Sequence, residues 1–289
     1  MPYIKQFSID SLGNYIDVIV AIRERQTNDG KVPFQWYRGH GDKSWELVPK
    51  IQRGFSGEAE ALFRKERVYT NDFQAKAKMF YDAAPPLNDF CSWLTLMQHY
   101  GLPTRILDWS RSPLIALFFA LSEPDTKDKD ACIWILNPGK LNGSQEIEHD
   151  SQVGGKKYKN VFIYSTAHKV IQTMVYSAFR RWAVSDKSDE ITPEDKKFDY
   201  HYQSLLGKIA ACYPTEADAR VYNQQAAFTV HNSSKKLTDI CDESTLQGLI
   251  VPKETKPRLL YELELCGITE SYVYPDLEHL AIEIKRIFP

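Results

Sequence analysis

The sequence predicts an α+β fold, a single mixed domain in which helices surround small β-sheets. Two observations favour this class: amphipathic helical patterns recur along the chain, and short apolar or aromatic segments typical of strands lie between them. No internal repeat or heptad pattern is present. The 289 residues are enough to bury a core of substantial size.

The composition is that of a globular protein, with 43% hydrophobic and 26% charged residues. A formal net charge of -2 provides no global positive field for a phosphate backbone, so a local basic groove is the only nucleic-acid contact to expect. The first 20 residues do not resemble a secretory signal, and no stretch reaches the ~18 apolar residues of a membrane span. The five scattered cysteines form no CxxC pair, which favours a reducing cytoplasm and no metal site.

The first elements lead to an aromatic strand that ends near an arginine. Residues 1–30 are expected to form an N-terminal extension, with a helix from Ser11, that packs on a domain spanning residues 31–289. The segment FQWYRGHG, residues 34–41, has the composition of a strand and is broken by glycine. This pattern places Arg38 at a strand end.

Two helices are predicted next, the first over about residues 58–81 and the second from Asn88. Pro85 and Pro86 separate them, because the residue before a proline avoids the α region. The buried stripe of the second helix consists of Phe90, Trp93, Leu94 and Met97. At ~100° per residue, His99 falls opposite that stripe, so the helix core does not account for it.

The rest of the chain alternates helices and short strands. Ser112-Pro113 opens a buried helix, residues 131–136 form a strand, and a mobile insertion is expected near residues 142–159. A mainly helical segment is expected near residues 165–213, including residues 200–212. Further strands are predicted at 226–231 and 249–251, and helices from Thr255 and after Asp276.

Four segments together resemble the FRG domain family, which is named for its [FY]RG motif. They are Tyr37-Arg38-Gly39-His40, the block LMQHYGLPTRILDWSRSPLIALFFA at residues 96–120, Arg220 with Gln224-Gln225-Ala226-Ala227-Phe228, and Tyr274-Pro275-Asp276-Leu277. The resemblance spans roughly residues 30–285. Ala226 stands where the family pattern has glycine, which puts a tight backbone approach there in question.

Arg38 is the first candidate for chemistry, with Gly39 and His40 as cofactor-binding neighbours. A guanidinium offers a bidentate fork to an anion, and glycine lets a phosphate approach the backbone. The Arg-Gly pair at a strand end is also similar to the first motif of arginine-type ADP-ribosyltransferases, in which the arginine holds the dinucleotide. The alternative is a structural salt bridge or turn.

His99 is a candidate catalytic residue, as a general base or a ribose ligand, and it could instead cap the end of its helix. Arg105 and Asp108 are cofactor-binding candidates. Because both enter apolar surroundings, they are expected to pair with each other or with a ligand, and a buried structural ion pair is favoured.

Arg220 and Gln224 are further cofactor-binding candidates, and Gln225 is a catalytic candidate. ADP-ribosyltransferases commonly have a glutamate near a late strand that stabilises the transition state, whereas this chain has glutamine there. A neutral amide cannot stabilise a cation as a carboxylate does, which is the main weakness of the enzyme interpretation.

The resemblances imply an NAD-using enzyme of ADP-ribosyltransferase type, in the glycosyltransferase class, acting on a macromolecule as a toxin or as a phage-defence effector. NAD would be the substrate, the acceptor is unknown, and no membrane is involved. Two alternatives remain: a non-enzymatic module that binds a nucleotide or a nucleic-acid end, and a purely structural phage or mobile-element protein. Convergence of Arg38, His99 and a carboxylate on one pocket is the geometric requirement of the enzyme.

Overall fold

The computed structural model describes residues 4–5, 9–27, 33–57, 59–153, 156–161, 163–179, 204–215 and 219–287. Within these ranges, eleven helices and ten strands form a mixed α+β fold, which confirms the predicted class. The helices are α1 (Leu12–Arg25), α2 (Ala59–Ala77), α3 (Phe90–His99), α4 (Pro113–Ser122), α5 (Pro138–Ser144), α6 (Lys169–Val175), α7 (Ala219–Asn223), α8 (Leu237–Ile240), α9 (Lys256–Leu265), α10 (Glu270–Val273) and α11 (Leu277–Ile287). The strands are β1 (Ile4–Lys5), β2 (Trp36–His40), β3 (Ile106–Ser110), β4 (Ala131–Leu136), β5 (Glu148–Val153), β6 (Lys156–Val161), β7 (Tyr164–Ser165), β8 (Ile209–Tyr213), β9 (Ala226–His231) and β10 (Leu246–Val251).

Eight of the strands form one sheet, in the order β1-β10-β4-β2-β3-β9-β8-β7, while β5 and β6 pair separately. The two outermost pairs, β1 with β10 and β7 with β8, are parallel, and the inner pairs are antiparallel. The main sheet is larger than the small sheets expected from the sequence. β3 accounts for this difference. It lies between strands β1, β10, β4 and β2 on one side and strands β9, β8 and β7 on the other, and so joins them into one sheet.

The central sheet is buried on both faces, so its strands are apolar throughout rather than alternating. On β4, Ile133 and Ile135 pack under α1, α4 and α9, whereas Trp134 and Leu136 belong to the core on the opposite face. A second core on the first face lies over the β3–β7 half and includes residues of α3 and α6. The two cores of that face therefore flank the junction of β2 and β3.

Helix α4 lies so close to β2 that only glycine fits at position 39. A Cβ at Gly39 would lie 2.0 Å from the Ala116 carbonyl oxygen and 2.7 Å from the Ala120 nitrogen. Both atoms are backbone atoms of α4, which cannot move without displacing the helix. The space beside this glycine, expected to admit a phosphate, is filled by α4.

Besides the core packing of α1, the N-terminal segment is joined to the rest of the fold by strand pairing and by hydrogen bonds. β1 pairs with β10, the Leu12 amide donates to a carboxylate oxygen of Glu262 at 2.6 Å, and the Tyr15 hydroxyl donates to the Pro113 carbonyl at 3.0 Å. Among the described residues, no helix combines the length and the apolar character that crossing a membrane requires.

Several predicted boundaries are confirmed, including the strands at 131–136 and 226–231 and the Ser112 cap of α4. The helix expected near residues 200–212 is wrong from residue 209 onward, since 209–213 form β8. A short apolar run does not distinguish a buried strand from a helix. In the predicted insertion, residues 142–144 end α5 and β5 and β6 follow. Part of the predicted 165–213 segment lies outside the described residues.

Candidate functional site

The sheet opens between β2 and β3, and a cavity lies at this gap. The register of these strands pairs only Tyr37 with Ser110, although every residue of both strands is described. Arg38 spans the gap, because its Nη1 donates to the Asp108 carbonyl oxygen at 2.6 Å. The cavity has a volume of about 340 Å³.

Seven of the nine predicted site residues line this cavity, and they come from β2, α3, β3 and the segment of α7 with the residue that follows it. They are Arg38, Gly39, His40, His99, Asp108, Arg220 and Gln224. Arg105 and Gln225 lie outside its lining. The structure thus brings Arg38, His99 and a carboxylate together, and their chemical roles remain predictions.

Arg38 and His40 form one wall. The Arg38 Nε and the Trp134 Nε1 lie 3.2 Å and 3.3 Å from the two ring nitrogens of His40. Burial and the charges of Arg38 and Arg53 lower the pKa of His40 well below its usual value, so the ring is neutral and can accept from only one of these donors. Burial lowers the pKa of Arg38 to about 10, which leaves it cationic at neutral pH.

Asp108 lies on the opposite side of the gap, in the middle of β3. The two residues on either side of it are buried, whereas its own side chain is exposed to the cavity. The Gln98 Nε2 donates to the Asp108 carboxylate at 2.5 Å, and the Gln98 Oε1 in turn accepts from the Thr104 hydroxyl. The recessed position raises the pKa of Asp108 above its usual value, and the charges of Arg38 and Arg220 oppose this.

The predicted ion pair between Arg105 and Asp108 is wrong, because Arg105 binds Glu66. Both side chains are fully buried, with Nε and a carboxylate oxygen 2.5 Å apart. Arg105 also donates to the Met174 carbonyl and to Asn232, and its guanidinium lies 4.1 Å from the Phe63 ring centre. Successive strand residues point to opposite faces, so two side chains three positions apart diverge. Arg105 joins α2, α6 and β9, and has no contact with the cavity.

Arg220 is held by the C-terminal part of the chain. Its guanidinium lies 5.0 Å from the Tyr274 ring centre, a cation–π distance. Two neighbours bind the same segment: the Asn223 amide donates to the Tyr272 carbonyl at 2.8 Å, and the Gln224 amide donates to the Val273 carbonyl at 3.1 Å. These contacts fix the wall of the cavity that carries Arg220.

Gln225 occupies a turn before β9 rather than the cavity. Its φ of 47° lies in the left-handed region, and its carbonyl accepts from the Arg111 amide at 2.9 Å. The position thus shapes the backbone between α7 and β9. Its proposed catalytic role has no geometric support.

His99 ends α3 and is exposed, opposite the buried stripe as the periodicity predicts. Its ring packs edge-on against Tyr100, with centres 5.1 Å apart. Besides the first cavity, His99 lines a second cavity of about 190 Å³. It therefore lies where the two cavities adjoin.

The lining residues that were not found from the sequence include Trp45, Arg53, Gln98 and Glu123. Gln98 could have been found, since it precedes His99 in the QHYGLPTR block. No local pattern in the sequence distinguishes Arg53 and Glu123 from ordinary surface charges. Only the tertiary fold brings them to the cavity. Within the described residues, no group of three or more His, Cys, Asp or Glu is placed to hold a metal ion.

The fold and this site define an α+β protein with an arginine-lined cavity at a gap in its central sheet. Residues 34–129 match the model of the FRG domain, and they include two of the four segments that resemble this family, residues 37–40 and 96–120. The matched segment includes β2 and β3 and hence both sides of the gap, while Arg220, Gln224 and Tyr274 lie beyond it. Searches of curated proteins and of solved structures found no match.

Proposed function

We propose that this chain is an NAD-using enzyme of ADP-ribosyltransferase type that modifies a macromolecule, as a toxin or defence effector. The observation that carries the proposal is the presence of Arg38, His99 and Asp108 around one cavity. None of these three residues belongs to a hydrophobic core cluster, so core packing does not account for them. A cation, a carboxylate and an imidazole are the groups that this transfer needs.

Each group has a role that its position supports. Arg38 and Arg220, with Arg53, bind the pyrophosphate through charge-assisted hydrogen bonds, and the Trp45 ring offers a stacking surface. Asp108 in its ionised form stabilises positive charge that develops on the ribose as nicotinamide departs. Asp108 on β3 thus supplies the carboxylate that is missing at Gln225, the position before the late strand β9. His99 accepts the proton of the acceptor.

The test is nicotinamide release from NAD by purified wild-type protein, alone and with cell extract as a source of acceptor. Arg38→Lys keeps the charge but loses the bidentate fork, so affinity for NAD should fall by about 1.5–3 kcal/mol. Calorimetry measures the affinity, and chromatography measures nicotinamide. If wild-type protein binds NAD yet releases no nicotinamide with or without extract, the enzyme proposal is wrong.

A non-enzymatic module that binds a nucleotide or nucleic-acid end is the second candidate, and one observation favours it. Three arginines, Arg38, Arg53 and Arg220, line the cavity, and a site that holds a phosphate group through them needs no reaction. Asp108→Asn separates the two candidates. A binding module keeps its nucleotide affinity in this variant, whereas the enzyme loses nicotinamide release while it still binds NAD.

A further inference from the structure

The second cavity adjoins the first and shares Thr95, His99 and Val221 with it. Its lining also includes Tyr81, Tyr100, Thr166 and Thr215. A group bound in this cavity and a nucleotide bound in the first would both border His99. The arrangement suits two reactants that share one imidazole.

The two cavities differ in charge. Arg38, Arg53, Arg220, Asp108 and Glu123 line the first, whereas the described residues that line the second include no Lys, Arg, Asp or Glu. A charged acceptor side chain would lose hydration there without gaining a counter-charge, which is costly. An uncharged occupant therefore fits the described lining of the second cavity.

Aromatic rings and hydroxyls border this uncharged cavity. Tyr100 and Tyr81 are 60% and 39% exposed, large fractions for aromatic side chains at a cavity. Exposed aromatic rings stack on planar bases regardless of sequence. The Thr166 and Thr215 hydroxyls lie 3.1 Å apart and provide oxygen acceptors for the polar edge of such a ring.

From these features we propose that the second cavity binds an unpaired nucleobase, and that single-stranded nucleic acid is the acceptor. This inference rests on the proposed function. Three exposed lysines lie beside lining residues in the sequence and are the candidates for local contacts to phosphates despite the net charge of -2: Lys50, which donates to the Gly101 carbonyl at 2.8 Å, Lys78, three residues before Tyr81, and Lys169, three residues after Thr166.

The transfer balances without a further reactant. A nitrogen of the base attacks C1′ of the ribose in NAD while the bond from C1′ to nicotinamide breaks. The bonding pair stays on the nicotinamide nitrogen, so nicotinamide leaves as a neutral molecule. The proton of the attacking N–H passes to His99, which borders both cavities.

The experiment uses the full-length protein, NAD labelled in its adenylate part, and short single-stranded DNA and RNA oligonucleotides. Label on the oligonucleotide and released nicotinamide are measured together, and oligonucleotide binding is measured by fluorescence anisotropy. The variants are Tyr100→Ala, Tyr100→Phe, which keeps the ring, and Tyr261→Ala as a matched control. Tyr261 is also 60% exposed, on α9, and lines neither cavity.

The proposal expects label on the oligonucleotide with wild-type protein. It also expects the ratio of transfer to nicotinamide release, and oligonucleotide affinity, to fall about 5- to 100-fold in Tyr100→Ala. Tyr100→Phe and Tyr261→Ala should stay within about twofold of wild type. Nicotinamide release without oligonucleotide labelling, or with label only on protein, overturns the nucleobase site and leaves the proposed function intact. Absence of nicotinamide release overturns the proposed function, and anisotropy then decides the base site: equal binding by wild type and Tyr100→Ala overturns it.

Discussion

Arg105 and Asp108 are three residues apart, yet they have opposite environments. Arg105 is fully buried and bound to Glu66, whereas Asp108 is exposed to the cavity and receives a hydrogen bond from Gln98. A buried cation with a single counter-charge is a structural requirement, while a carboxylate facing a cavity is available for chemistry. Loss of the charge pair at Arg105 should therefore appear in the free energy of unfolding, whereas loss of the Asp108 charge should appear in activity.

The residue-scale prediction is that Glu66→Gln destabilises the fold, because it leaves Arg105 buried without a counter-charge. The cost should be about 3–5 kcal/mol in the free energy of unfolding, measured by urea denaturation. Asp108→Asn is the matched comparison and should change stability by less than about 1 kcal/mol, since its side chain faces the cavity. A greater loss for Asp108→Asn than for Glu66→Gln would contradict this division of roles.

At this scale, sequence reasoning identified the residues whose type has no local reason, such as His99 opposite a buried stripe. It failed for Glu66, although a signal was present. Leu62, Glu66 and Thr70 follow one another at intervals of four on α2, and all three are fully buried. A charge on the apolar stripe of a helix indicates a buried partner, but only the fold shows that the partner is Arg105.

The contact of α4 with β2 is the element-scale basis of the YRG motif. At Gly39 the two backbones meet without space for a Cβ, and the neighbouring Arg38 thereby keeps its position at the cavity wall. The glycine is explained by helix packing, and the arginine by its place beside the gap. One short motif thus serves two purposes.

The element-scale prediction is that Gly39→Ala separates α4 from β2. Because the clash involves backbone atoms, the cost should reach or exceed the ~1–3 kcal/mol typical of overpacked cores. Gly13→Ala is the control: nothing lies within 4 Å of its Cβ position in α1, so stability should stay unchanged or rise by up to about 1 kcal/mol. Chemical denaturation of both variants gives the comparison, and equal stabilities would show that α4 adjusts freely.

Among the elements, those with clear boundaries were predictable. Ser112 with Pro113 marks the start of α4, and Asn137 with Pro138 marks the end of β4. β3 was missed because its sequence, ILDWS, has a charge in the middle, which argues against a buried strand. That charge is Asp108, so the site residue itself obscured the strand that carries it.

At the scale of the whole molecule, the cavity follows from strand order. β2 and β3 are neighbours in the sheet although nearly seventy residues separate them, and each continues into a different half of the sheet. Local pattern carries no information on such pairing, because strand order depends on how distant cores fit together. The sequence could therefore predict the members of the site but not the gap that gathers them.

The last prediction concerns acid stability and two buried histidines. Burial and the Arg38 charge lower the pKa of His231 to about 3, and the same two causes, with Arg53, lower the pKa of His40. Both pKa values lie below the unfolded value of ~6.5, so the unfolded chain takes up protons first as the pH falls. Each histidine thus removes stability as the pH falls below ~6.5, and for His231 the loss is up to about 1.4 kcal/mol per pH unit, or about 2 kcal/mol by pH ~5.

The free energy of unfolding, measured by urea denaturation from about pH 7 to about pH 5, should fall for the wild type and fall by about 2 kcal/mol less for His231→Gln. The raised pKa of Asp108 acts with the opposite sign, because the folded carboxyl binds a proton more readily, but it affects both proteins equally. The difference between the two profiles therefore isolates His231, whatever the substitution costs at neutral pH. Parallel profiles would show that His231 is protonated in the folded protein, and that the Thr229 hydroxyl, 3.0 Å from its Nε2, is not held by a neutral ring.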